Sequence, residues 1–215
     1  MRLRRHFRWP HWAAYDAASG SRGFALLELL IVVALIIALF TLYFGGGTFR
    51  RDQTRQLAAC RKNLQNIFVA LKAYSIDNND KFPVFAGAKT SDVPLSLLVP
   101  KCTTSTEFFI CPGTSDKPLP DARPFDGRTI SYAYYMGRTV TDGASAPLAS
   151  DRQVHADPKP IGQWVFSPNG KTAGRNHDKF GGNILFCDGT TQFSPPLSPF
   201  NLTNGPNVVL LSPKP

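Results

Sequence analysis

His177, Asp178 and Asp188, with Asn183 between them, form the one grouping in this 215-residue sequence whose residue types suit ion ligation. An imidazole nitrogen with carboxylate and amide oxygens can hold a divalent metal. The same residues also fit a plain structural role, in which Asp188 shapes its turn while His177 and Asn183 hydrogen-bond the loop leading into it. Four cysteines, Cys60, Cys102, Cys111 and Cys187, include no CxxC pair, which argues against a zinc ribbon or a thioredoxin-like site. Cys102 and Cys111 bracket the short stretch "CTTSTEFFIC". In an oxidising compartment that spacing fits a local disulfide, and elsewhere it fits two reduced thiols. "SPNGKTAG" contains Gly-Lys-Thr, but a phosphate loop also needs a glycine five residues before Gly170, where Val165 stands. There is no HExxH and no GxSxG, and no nucleophile is paired with a base, so the expectation is a protein that is not an enzyme.

A second chemical oddity lies near the N-terminus. "SRGFALLELLIVVALIIALFTLYFGGG" (21–47) carries one acid, Glu28, in an otherwise apolar run. A carboxylate costs about 2.5–3.5 kcal/mol at the centre of a membrane helix and less near its ends. Its retention calls for a partner or a task.

The elements that must position these groups follow from patterning. Residues 24–44 make a membrane-length apolar segment, about 31 Å long as a helix. Gly45, Gly46 and Gly47 are expected to break it, since each costs a helix about 1 kcal/mol relative to alanine. Leu57, Cys60, Leu64, Ile67, Leu71 and Tyr74 then recur at spacings of three and four, an apolar stripe for core packing. Arg55, Arg61, Lys62 and Lys72 fall off that stripe. "IDNNDKFP" ends the helix, with an asparagine suited to the left-handed position and Pro83 unable to continue.

Beyond that point the composition changes, because seventeen of the eighteen prolines lie at or after Pro83. Short strands are expected at 107–111, 130–136, 163–167, 183–187 and 190–193, with Asp188-Gly189 as a hairpin turn. Residues 137–162 read as a long irregular loop. The formal charge of +9 is uneven, with Arg2, Arg4, Arg5, Arg8 and Arg22 against Asp16 alone in the first 23 residues and the rest only modestly basic, and with no run of five or six like charges no nucleic-acid partner is expected. The fold class expected is α+β, a long N-terminal helix with a membrane-spanning half and an amphipathic half, the latter packed on a small antiparallel β-sheet head.

"RGFALLELLIVVALI" resembles the cleavage and methylation segment of type IV prepilins and type II secretion pseudopilins. A basic leader ends in Gly23, Phe24 follows, Glu28 stands four positions later, and an apolar helix continues. "YSIDNNDKFP" resembles the end of that family's helix, and "NHDKFGGNILFCDGTTQF" resembles a C-terminal tail of bacterial pilin-like proteins. The resemblance implies a leader at 1–23, a transmembrane helix at 24–44, a helical extension at 45–82 and a loop-rich β head at 83–215. It implies cleavage between Gly23 and Phe24 by prepilin peptidase, N-methylation of Phe24, and pairing of Glu28 with the terminal amine of a neighbouring subunit during assembly. It further implies a single-pass bacterial inner-membrane protein with a periplasmic head, whose partners are other pilins or pseudopilins and inner-membrane assembly proteins, working in protein transport or a pilus. Some pseudopilins bind calcium in a C-terminal loop, which bears on His177, Asp178 and Asp188. The competing reading is a membrane-anchored extracytoplasmic domain that binds a ligand or metal through residues 137–182 and does not polymerise.

Overall fold

The computed structural model describes residues 26–171 and 173–214. The leader, Gly23 and Phe24 lie outside the described residues. The described chain falls into two units that divide between Gly46 and Gly47.

Helix α1 runs from Leu26 to Asp77. The expected break at the three glycines does not occur, and residues 45–47 are helical. Helix propagation is cheap once nucleated, and long helical stretches on both sides offset a local penalty of about 3 kcal/mol for three glycines. In the first unit, residues 26–43 are exposed and apolar apart from Glu28 in the first turn. The Thr41 hydroxyl donates to the Ala38 carbonyl at 2.8 Å, which satisfies the polar atom within its own helix. This is the one helix among the described residues long and apolar enough to cross a membrane.

In the second unit, the expected stripe is the buried face of α1. Cys60, Leu64, Ile67 and Leu71 have no solvent exposure, while Leu57 and Tyr74 are half-buried. The helix ends where the sequence places its stop. Asn79 and Asp80 adopt positive φ, +55° and +61°, and the Asp80 N–H donates back to the Ser75 carbonyl at 3.0 Å.

The head is a five-stranded antiparallel sheet of β1 (Tyr132–Met136), β2 (Pro147–Asp151), β3 (Gly182–Phe186), β4 (Thr191–Ser194) and β5 (Val209–Leu211). Its spatial order is β4-β3-β2-β1-β5. Alternation along the strands divides two buried faces. Tyr132, Tyr134 and Leu185 face the helix stripe in the main core. Ala133 and Tyr135 pack with Val208 and Leu210, and Ile184 and Phe186 pack with Val165, Phe166 and Leu202. The sheet is therefore covered on both sides, by α1 on one and by loops on the other.

Three strand expectations held, at β1, β3 and β4. The Asp188-Gly189 hairpin also formed, with Gly189 at φ +86°. The stretch 107–111 is a 3-10 turn at Glu107–Phe109 instead. Phe108 and Phe109 are both buried there, against the alternation a half-buried strand requires, and the Phe109 ring packs tilted against Phe125 with centroids 4.6 Å apart. The stretch 163–167 forms only an isolated bridge, Trp164 to Leu197. β2 arises inside the segment expected to be irregular. "PLASD" has little strand propensity, yet it occupies the middle of the sheet because β1 and β3 pair with it on both edges.

Candidate functional site

The expected Cys102–Cys111 bridge is not the one formed. Cys111 is disulfide-bonded to Cys60, with Cα atoms 5.4 Å apart, and Cys102 is free. The physical reason is the 3-10 turn. It directs Cys111 onto the helix stripe, while the Cys102 N–H is held by the Leu98 carbonyl at 2.8 Å. Burial beside Asp77 raises the Cys102 thiol pKa above its usual range. Cys187, the other free thiol, is buried and its pKa is pushed up to about 11 by desolvation.

Around the disulfide lies the only group among the described residues that brings three or more His, Cys, Asp or Glu ligand atoms together. It comprises Cys60, Cys111, Asp151 and His177, whose ligand atoms all lie within 4.8 Å of one another. All four residues have zero exposure. Four separate pieces of chain supply them: α1, the segment after the 3-10 turn, the last residue of β2, and the loop before β3.

Asp151 is the hub. Its Oδ2 accepts the Asn183 N–H at 2.7 Å and the Asn183 side-chain amide at 3.1 Å, while Oδ1 accepts the Asn176 side-chain amide at 3.2 Å. His177 Nε2 stands 3.2 Å from Asp151 Oδ2 and 3.5 Å from Cys111 Sγ. A buried carboxylate with this many donors is satisfied, as burial in a low dielectric demands. The two asparagines in turn lock the surroundings. Asn183 also donates to the Leu57 carbonyl of α1 at 3.0 Å, and Asn176 donates to the Ser131 carbonyl at 2.7 Å. The Cys111 N–H donates to Ser131 Oγ at 2.8 Å, whose hydroxyl donates to Asp116 Oδ2 at 2.7 Å. Arg152 closes this chain on Asp116 at 3.1 Å.

Of the residues singled out from sequence, His177 joins the cluster and Asn183 orients its carboxylate. Asp178 and Asp188 do not join it. Asp188 is exposed, and its Oδ1 accepts the Thr190 N–H and hydroxyl at 2.8 and 2.7 Å, so it shapes the hairpin turn. Asp178 sits at φ +57° in its own turn. Asp151 and Cys60 were not legible as site residues. Asp151 closes an unrecognised strand, and Cys60 reads as one more apolar position of a helix stripe. The only available signal was that a buried cysteine on a stripe can meet any other cysteine of the core.

The arrangement has no solvent-reachable nucleophile. It is a closed polar knot with two sulfurs, one imidazole and one carboxylate, and it ties helix, sheet and two loops together. Glu28, by contrast, is exposed on α1 and is the only charged residue between positions 26 and 49.

Comparison of the chain with protein-family models, with curated proteins and with solved structures returns no match in any of the three.

Proposed function

We propose that this chain is the precursor of a pilin-like structural subunit, a pseudopilin or minor pilin. It is cut between Gly23 and Phe24, N-methylated at Phe24, and assembled through its apolar helix into a filament of a secretion or pilus machine. One observation carries this reading. A single helix, α1, has an exposed apolar stretch with one acid in its first turn, and a later stretch whose stripe is the core of a β head. A simple anchor needs only the hydrophobicity, whereas Glu28 adds a desolvation cost that an anchor has no use for. After cleavage the new terminal amine of Phe24 is a cation, and Glu28 is the acid nearest to it in sequence. Pairing across subunits would set the axial register of helices in a low-dielectric bundle, the best-attested use of buried charge.

The test is the mature N-terminus. Mass spectrometry of the exported protein should give a chain of residues 24–215 with one methyl on the Phe24 amine. Gly23→Leu should block maturation, because a side chain at this position obstructs close approach of the peptidase to the backbone. An intact, unmethylated leader on membrane-embedded protein would instead favour a non-polymerising anchored domain.

A further inference from the structure

The Cys60–Cys111–Asp151–His177 cluster has the residue types of a zinc site with four protein ligands, and two of its ligand-atom separations lie close to those of one. In tetrahedral zinc sites Zn–S is about 2.3 Å, Zn–N about 2.0–2.1 Å and Zn–O about 2.0–2.2 Å, which puts neighbouring ligand atoms roughly 3.3–3.8 Å apart. His177 Nε2 already lies 3.5 Å from Cys111 Sγ and 3.2 Å from Asp151 Oδ2. All four ligand atoms fall within 4.8 Å of one another, and every residue is fully buried, as structural sites with four protein ligands are. The outer shell is in place too. Asn183 and Asn176 orient the carboxylate independently of His177. Two thiolates and a carboxylate on Zn²⁺ leave one net negative charge, the same as in the familiar Cys₃His sites.

We propose that the cluster is a redox-gated metal site: with the Cys60–Cys111 bond reduced, Cys60, Cys111, Asp151 and His177 bind one zinc ion in place of the disulfide. The two states are exclusive, because each sulfur bonds either to the other sulfur or to the metal. Reduction by a phosphine consumes one water, converts the phosphine to its oxide and leaves two thiols. Metal entry then releases two protons, one from each thiol. To ligate the ion, a neutral His177 ring must carry its proton on Nδ1, so that the Nε2 lone pair faces the ion and the ring releases none. A proton on Nδ1 gives up any Nε2–H donation to Asp151 Oδ2 at 3.2 Å, which bonds from both atoms to the ion replace, and His177 Nδ1 is buried with no hydrogen-bond partner among the described residues. A polar cavity of about 320 Å³ is lined by Gly113 and Asn176, close in the chain to Cys111 and His177. In either state α1 and the segment after the 3-10 turn remain joined, and the ion would add the end of β2 and the loop before β3 to that link, so the head keeps its core in oxidising and reducing surroundings alike. The filament reading plays no part in this proposal.

The test uses the full chain in detergent, oxidised or treated with a phosphine, and titrated with Co²⁺ and then Zn²⁺. The reduced chain should take up one Co²⁺, with the visible spectrum of tetrahedral thiolate coordination, and Zn²⁺ should displace it. The oxidised chain should give no such spectrum. It is a built-in control, because Cys102 and Cys187 stay free thiols in both states. Asn183→Ala should weaken binding about 10–100-fold, and His177→Ala should weaken it further. A reduced chain that keeps its circular dichroism yet shows no tetrahedral cobalt spectrum overturns the proposal, as does an unchanged spectrum in His177→Ala. If reduction alone unfolds the head, Zn²⁺ must restore the dichroism, because binding and folding are then one equilibrium, and failure to restore it overturns the proposal equally.

Discussion

Asn183 gives both its backbone N–H and its side-chain amide to one oxygen of Asp151, at 2.7 and 3.1 Å, and the same amide also reaches the Leu57 carbonyl of helix α1 at 3.0 Å. One side chain on β3 thus joins the buried acid at the end of β2 to the helix that covers the sheet. Asp151→Ala should therefore destabilise the head by about 3–5 kcal/mol, the usual consequence of stranding the partners of a buried charge. Asp151→Asn should cost less, since it retains an acceptor for Asn183. Urea midpoints of the oxidised chain, compared with wild type, measure both.

The covalent tie is the second prediction. Cys60 and Cys111 are 51 residues apart in sequence, and closing a loop of that length stabilises by about 4 kcal/mol in the chain-entropy model. Cys60→Ser should lower stability by up to that amount. Non-reducing peptide mapping should recover the Cys60–Cys111 linkage. In the folded protein alkylation should label Cys102 before Cys187, because Cys187 is buried and its pKa is about 11.

Lys159 predicts a pH response. Its side chain is 1% exposed, and Nζ donates to the carbonyls of His155 and Asp157 at 2.6 and 2.7 Å. Desolvation lowers its pKa from 10.5 to about 8, against a smaller upward pull from Asp157. Between pH 8 and 10.5 the unfolded chain therefore holds a proton that the folded chain has released. Stability contributed by this group rises with pH across that window, by up to ~1.4 kcal/mol per unit, and is flat below pH 8 where both states are protonated. Urea midpoints at pH 7.5 and 9.5 should separate, and Lys159→Met should remove this rise and leave the smaller, opposite fall that the raised pKa of Cys187 produces above pH 9.

At the hairpin, Gly189 has φ +86°, and a Cβ there would lie 2.5 Å from the Phe68 ring. Gly189→Ala should cost about 1–3 kcal/mol through backbone strain and overpacking together. Adding Phe68→Ala should recover the steric part in a double-mutant cycle and leave the backbone part.

For the proposed filament role, Glu28→Gln and Glu28→Leu should both be cleaved and inserted in the membrane yet be missing from sheared filament fractions. Loss of the carboxylate leaves a neighbour's terminal amine buried and unpaired, which costs about 3–5 kcal/mol in a dry setting. Wild-type levels of either variant in filaments would remove the register role.

Local periodicity was enough for the helix stripe from Leu57 to Tyr74, the helix stop at Asn79 and the Asp188-Gly189 hairpin. Each of these depends on residues within a few positions of one another, where spacing alone sets which face is buried and where glycine, asparagine or aspartate takes up positive φ. The isolated acid at Glu28 was equally plain, because its contrast with its neighbours needs no fold to define it. Tertiary structure decided the rest. "PLASD" became a central strand because two flanking strands offered it hydrogen bonds on both sides, which its own side chains do not announce. The three glycines stayed helical because long helical runs on either side outweighed them. Cys111 met Cys60, far off in sequence, in preference to Cys102 nearby, because a 3-10 turn aimed it at the helix. Asp151, His177 and the two sulfurs came together only when four distant pieces of chain were folded over one core, and no spacing along the chain encodes a meeting of that kind.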